Sequence, residues 1–166
     1  MTTASTTLIS NYEASPQVMS PSYQLGGVQR VAVGTIALAT TDLEANDIVM
    51  LAPIPSNAAI LSSKLYNDDL DSGTTNTCDV GLYTTAGVVV DDDVYASAIT
   101  DLRGAVLTGT EVAFEARNVN LMGQRVWEDA GATTDPGGYY YVALTFDAAA
   151  NTAGDLSWWI TYVTQA

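Results

Sequence analysis

A chain of 166 residues with 48% hydrophobic content fits one domain that can bury a proper core. Five Lys and Arg stand against 19 Asp and Glu, a formal charge of −14, with no His and one Cys. Nucleic acid and anionic membranes are disfavoured, because phosphate binding rests on Lys and Arg. Ser-His-Asp, Cys-His and His-containing zinc machinery are excluded by composition, and one thiol makes neither an internal disulfide nor a thiolate cluster. Folding therefore needs no staple and is compatible with a reducing cytoplasm.

Residues Met1–Gln29 are rich in Ser, Thr, Asn and Gln and carry Pro16, Pro21 and Gly26-Gly27. They lack the basic and apolar regions of a signal peptide. Leu8, Ile9, Tyr12, Val18, Met19, Tyr23 and Leu25 are scattered without helical or strand period. The segment reads either as a disordered tail or as an extended arm that orders against a neighbouring subunit. The apolar content favours the arm.

Strands begin at Arg30. Val31 and Val33 are followed by Ile36 and Leu38, a phase change that a bulge at Gly34 would explain. Ile48–Ile54 is a second strand, with Pro53 and Pro55 ending it or confining it to a sheet edge. Ala58–Tyr66 is a third, and 67–76 is an acidic loop. In Thr77–Thr84, Cys78, Val80 and Leu82 point one way and Asp79, Gly81 and Tyr83 the other, and Cys78 reads as a small buried residue. Val88–Val90 is a short strand. Tyr95, Ala98, Ile99 and Leu102 then recur at helical spacing, with Asp91, Asp92 and Asp93 as N-terminal cap and Gly104 as C-terminal stop. A calcium site on that Asp triplet is the lesser alternative, because the spacing is not that of an EF-hand loop.

Alternation of Val112, Phe114 and Ala116 favours a strand within 105–117. Met122, Val126, Trp127 and Ala130 suit one or two helical turns ending at Gly131, with Trp127 capping the core. In Tyr139–Asp147, Tyr140, Val142, Leu144 and Phe146 share a face opposite Tyr139, Tyr141, Ala143 and Thr145. In Leu156–Val163, Leu156, Trp158, Ile160 and Tyr162 oppose Ser157, Trp159, Thr161 and Val163. Period-two alternation with one apolar face marks half-buried antiparallel strands, and the short connection predicts a hairpin between these two. Tyr139, Tyr141 and Trp159 then face outward, as a partner or oligomer surface, an aromatic ladder or a sugar platform. The expected architecture is an all-β, jelly-roll-like antiparallel β-sandwich at 30–166, with one or two short helices and an extended N-terminal arm at 1–29.

No Walker-type loop or dinucleotide fingerprint is present. A carboxylate pair from Glu111, Glu115 or Glu128 is easily drawn in so acidic a chain and carries little information. No catalytic, cofactor or metal site is expected.

One resemblance goes further. Arg125-Val126-Trp127-Glu128-Asp129-Ala130-Gly131, followed by Asp135-Pro136-Gly137-Gly138-Tyr139 and later Asn151-Thr152-Ala153-Gly154-Asp155, resembles segments of small structural proteins of tailed bacteriophages, especially marine and environmental phages. Glu44-Ala45-Asn46-Asp47-Ile48-Val49, Ala59-Ile60-Leu61 and Cys78-Asp79-Val80-Gly81-Leu82-Tyr83 are similar to them too. The resemblance implies a virion component, a capsid decoration or cement protein on the outer head surface with a jelly-roll-like fold. Its partners would be the major capsid protein and further copies of itself as a homo-oligomer. A carbohydrate-binding adhesin module and a neck or tail component are the alternatives.

Overall fold

The computed structural model describes residues 4–165; residues 1–3, part of the expected arm, and residue 166 lie outside it. Eight strands follow a short N-terminal helix. They are β1 (Gln29–Leu38), β2 (Ile48–Pro55), β3 (Ala58–Asn67), β4 (Thr77–Tyr83), β5 (Val89–Ile99), β6 (Val106–Glu111), β7 (Tyr139–Ala148) and β8 (Gly154–Thr164). The helices are α1 (Thr7–Glu13) and α2 (Val126–Asp129).

Two four-stranded sheets form, ordered β1-β8-β3-β6 and β2-β7-β4-β5, with every neighbouring pair antiparallel. This is the strand order of a jelly roll, in which the chain passes repeatedly from one sheet to the other. The core lies between the inner faces. Leu65, Leu156 and Ile160 come from the first sheet, and Ile54, Cys78, Val80, Leu82, Val142, Leu144 and Phe146 from the second. Pro53 and Pro55 lie on β2, an edge strand where a missing N–H costs no ladder bond.

Four expectations are corrected. β7 and β8 are not a hairpin: β7 pairs with β2 and β4, whereas β8 pairs with β1 and β3. Each has one strongly apolar face, and those faces meet across the core instead of lying side by side. Alternation fixes which face is buried; it does not say which sheet a strand joins.

The helix over 95–102 is also absent, so the Asp triplet caps nothing. β5 runs through Val89–Ile99, with three register shifts against β4: Cys78 pairs with Ile99, Val80 with Ala96 and Leu82 with Asp91. Extra residues in the bulges displace the apolar positions from period two and imitate a helical stripe. Tyr95, Ile99 and Leu102 are buried, but Ala98 is exposed at φ 52°. Gly104 is extended, at φ −172°.

Nor is there a bulge at Gly34. β1 stays in register with β8 from Gln29↔Val163 to Leu38↔Gly154. The inward residues are Ala32, Gly34, Ile36 and Leu38, and Val31 and Val33 point outward. Gly34 is where the Trp158 indole lies flush on the backbone, so a Cβ there would overlap the ring. A small inward face and a β-branched outward face produced the false phase change. The strand within 105–117 lies earlier than its alternation indicated: β6 covers Val106–Glu111, and Val112, Phe114 and Ala116 fall beyond its end, because Glu111 turns back to accept from the Ser63 and Ala113 N–H groups. α2 is the short helix expected near Trp127, and Glu128 accepts from the Arg125 N–H at its start.

Candidate functional site

The N-terminal segment is not uniformly extended. Thr6 caps α1, its Oγ1 accepting from the Ile9 N–H at 3.4 Å, and no residue of α1 is buried. Ile9, Tyr12, Val18, Met19 and Leu25 are all exposed, Met19 at 87%. Leu8 and Tyr23 are half-buried. Tyr23 packs its ring against the Gly123 backbone, and Gly27 crosses Val163, where a Cβ would come within 2.8 Å of Cγ1. The arm is thus pinned to the sandwich at 22–27, while 4–20 presents apolar side chains outward. Of the seven arm residues expected to make contacts, Tyr23 is committed within the chain. Leu8 shares a cleft of about 470 Å³ with Tyr23 and Met122.

Tyr139, Tyr141 and Trp159 are not brought together. Because β7 and β8 belong to different sheets, Trp159 lies on the outer face of one and the two tyrosines on the outer face of the other. Trp159 is 50% exposed and Tyr139 56%. Tyr141 is half-buried between its β-partners Pro53 and Tyr83. Trp159 stands between Val33 on β1 and Lys64 on β3, and its Nε1 donates to Thr161 Oγ1 at 3.1 Å. Ser62, Lys64, Tyr66 and Trp159 line a shallow hollow of about 260 Å³.

The two outer faces differ in chemistry. Around Trp159 lie Val31, Val33, Thr35, Ser157 and Thr161, with Lys64 and its β-partner Glu111 the charged residues beside them. The other sheet carries Asp79, Asp147 and the Asp91–Asp93 bulge. Partial burial raises the Asp79 carboxyl to about 6, against the pull of the Ala98 N–H and aided by a hydrogen bond to Asp147. Asp91 is raised by burial and by its hydrogen bond with Asp93. Carboxylate oxygens of Asp91, Asp92 and Asp93 lie within 4.8 Å of one another, the donor type hard cations take. Chemically this face repels anions.

Sequence reasoning missed Val31 and Val33 as surface residues, although the two β-branched residues on one phase of β1 were the available signal. It also missed the buried cluster of Arg117, Asp129 and Tyr95. Nothing in the spacing of those three residues points to one another.

No protein-family model matches this chain, and no curated protein matches it either. Solved structures do. A chain in the capsid of Ralstonia phage GP4 superposes with a TM-score of 0.60 at 20% identity, covering 84% of this chain and 86% of that one. A chain in the capsid asymmetric unit of cyanophage Pam1 gives 0.55 at 19% identity, covering 89% and 92%. At such identities the likeness is one of fold, and it runs nearly end to end. This acidic, eight-stranded jelly roll therefore shares its fold with chains found in the capsids of two bacteriophages.

Proposed function

We propose that this chain is a structural protein of a bacteriophage virion, a capsid decoration or cement protein that binds the outer head surface and bridges neighbouring subunits. The observation that carries the reading is the arm. Residues 4–20 expose the apolar side chains Ile9, Tyr12, Val18 and Met19, while Tyr23 and Gly27 anchor the arm's base to the sandwich. An apolar segment held at one end by a rigid domain is built to dock on something else. The shared fold with capsid chains supports that partner being the major capsid protein. A charge of −14 suits a surface turned away from packaged DNA, because an acidic face gains nothing from phosphate.

The mechanism is multivalent clamping. Several weak contacts on one particle raise avidity by about 10²–10⁴ without any single strong one. Leu8, Ile9, Tyr12, Val18, Met19 and Leu25 make the arm contact, Tyr23 holds the arm's base on the sandwich, and Trp159 belongs to a face used between subunits. Deleting the residues before Gly26 and measuring occupancy on capsids stripped of the protein tests this directly. Occupancy falls sharply if the arm clamps; unchanged occupancy removes it from the mechanism.

One observation favours a second reading. The hollow at Trp159 offers an aromatic face beside a hydroxyl, an ammonium and a phenol, the elements of a sugar-binding platform. Reproducible glycan-array binding lost in Trp159→Ala would support an adhesin module instead.

A further inference from the structure

The sandwich has four edge strands, and three carry features that discourage pairing with another chain. β2 contains Pro53 and Pro55 and a register shift between Met50 and Ala52. β5 is bulged three times and carries three consecutive Asp. β6 has only six residues, a register shift at its partner and Gly109 at φ 78°. Proline, bulges, brevity and charge are the means by which sheet proteins protect their edges.

β1 has none of these. It runs ten residues in unbroken register with β8, contains no Pro and bears one charge, Arg30. Among the described residues its outer edge makes no backbone hydrogen bond. Its large exposed apolar side chains are β-branched: Val31 at 50%, Val33 at 62% and Ile36 at 38%.

We infer that β1 pairs edge to edge with β1 of a second copy of this chain, antiparallel about a two-fold axis at Val33, joining two four-stranded sheets into one of eight. The strand is self-complementary in this register. Val33 meets Val33, Val31 meets Thr35, and the two Trp159 rings flank the seam on the same outer face. The inner face decides the occupant by charge. The two-fold places Arg30 of each copy opposite Ile36 of the other. Ile36 lines a groove of about 520 Å³ together with Asp42 and Asp47, so each guanidinium approaches two carboxylates. Arg30 makes no ion pair within its own chain among the described residues. Elsewhere a second copy would meet a like-charged surface; here a cation meets acids twice, by symmetry.

Self-pairing deepens the subunit association proposed above and rests on that reading for its place on a particle. Purified protein tests the pairing alone, so failure of capsid binding and failure of the dimer are separate results. Sedimentation velocity over a concentration series should show a monomer–dimer equilibrium. In antiparallel pairs, opposed Cβ atoms lie about 4.5–5.5 Å apart, close enough for a disulfide after minor adjustment. Oxidised Val33→Cys should therefore give a covalent dimer, whereas Leu107→Cys, 80% exposed on the far edge of the same sheet, should not. Arg30→Glu should weaken the dimer about tenfold, the effect of two rim ion pairs. The double variant Val31→Asp/Val33→Asp should be monomeric with an unchanged near-ultraviolet circular dichroism spectrum. A monomer at every concentration, with Val33→Cys cross-linking no faster than Leu107→Cys, would overturn the proposal. A dimer that survives in the folded double variant would overturn it equally.

Discussion

Arg117 donates from Nη1 to Oδ2 of Asp129 at 2.6 Å, and both side chains are sealed from solvent, 3% and 1% exposed. Tyr95 donates to the same oxygen at 2.9 Å. The guanidinium sits 5.0 Å from the Tyr95 ring centre and 4.8 Å from that of Phe114. Arg117 Nη2 also reaches the Ile60 carbonyl at 3.3 Å. This cluster ties β5, the segment after β6, α2 and β3 into one end of the sandwich.

Arg117→Met should therefore cost about 3–5 kcal/mol, because it leaves the Asp129 carboxylate buried without its cation. Adding Asp129→Leu should recover part of that loss: it removes the unpaired charge but leaves the buried Tyr95 hydroxyl without its acceptor. Urea unfolding of the two variants against the parent measures both effects.

Gly34→Val should destabilise by about 1–3 kcal/mol through overpacking against the Trp158 indole. Trp158 fluorescence gives the accompanying structural readout, a changed emission in the folded state.

The Asp79 carboxyl, held near 6 in the folded chain against 3.8 for the free side chain, sets a sign for pH dependence. The folded state binds its proton more tightly, so this group's contribution is fully present below about pH 3.8 and is lost as pH rises through about 6. Asp79→Asn keeps an acceptor for the Ala98 N–H and removes the titration. Its unfolding free energy should vary less with pH across that window than the parent's.

Cys78 is fully buried and its thiol is pushed well above the ordinary range, first by burial and then by the nearby Asp147 and Asp79 carboxylates. The thiolate is the reactive species. Modification by a thiol reagent should be negligible in the native protein and should appear in step with unfolding in denaturant.

Within the arm, Tyr23→Ala should cost about 1–2 kcal/mol of stability, because its ring is packed on Gly123. Tyr12→Ala, at a residue 64% exposed, should stay within about 0.5 kcal/mol. Thermal unfolding of the two variants separates the anchored base of the arm from its free portion.

The sandwich class was legible in alternation and turn chemistry. Cys78, Val80 and Leu82 on one face, or Leu156, Trp158 and Ile160 on another, are local patterns that burial enforces residue by residue. Composition likewise excluded histidine chemistry without any coordinates. Local patterns carry no information about which sheet a strand joins, so β7 and β8 read as a hairpin. The same limit separated Trp159 from Tyr139 and Tyr141, which sequence placed on one surface. Bulges in β5 and the bare Gly34 beneath Trp158 both distort period two, and only the partner strand or ring reveals why. The charge, the strand faces and the apolar arm were thus set by sequence, because each depends on a residue and its near neighbours. The jelly-roll pairing, the Arg117–Asp129 cluster and the unprotected β1 edge were decided by tertiary structure, because each depends on residues far apart in the chain meeting in space.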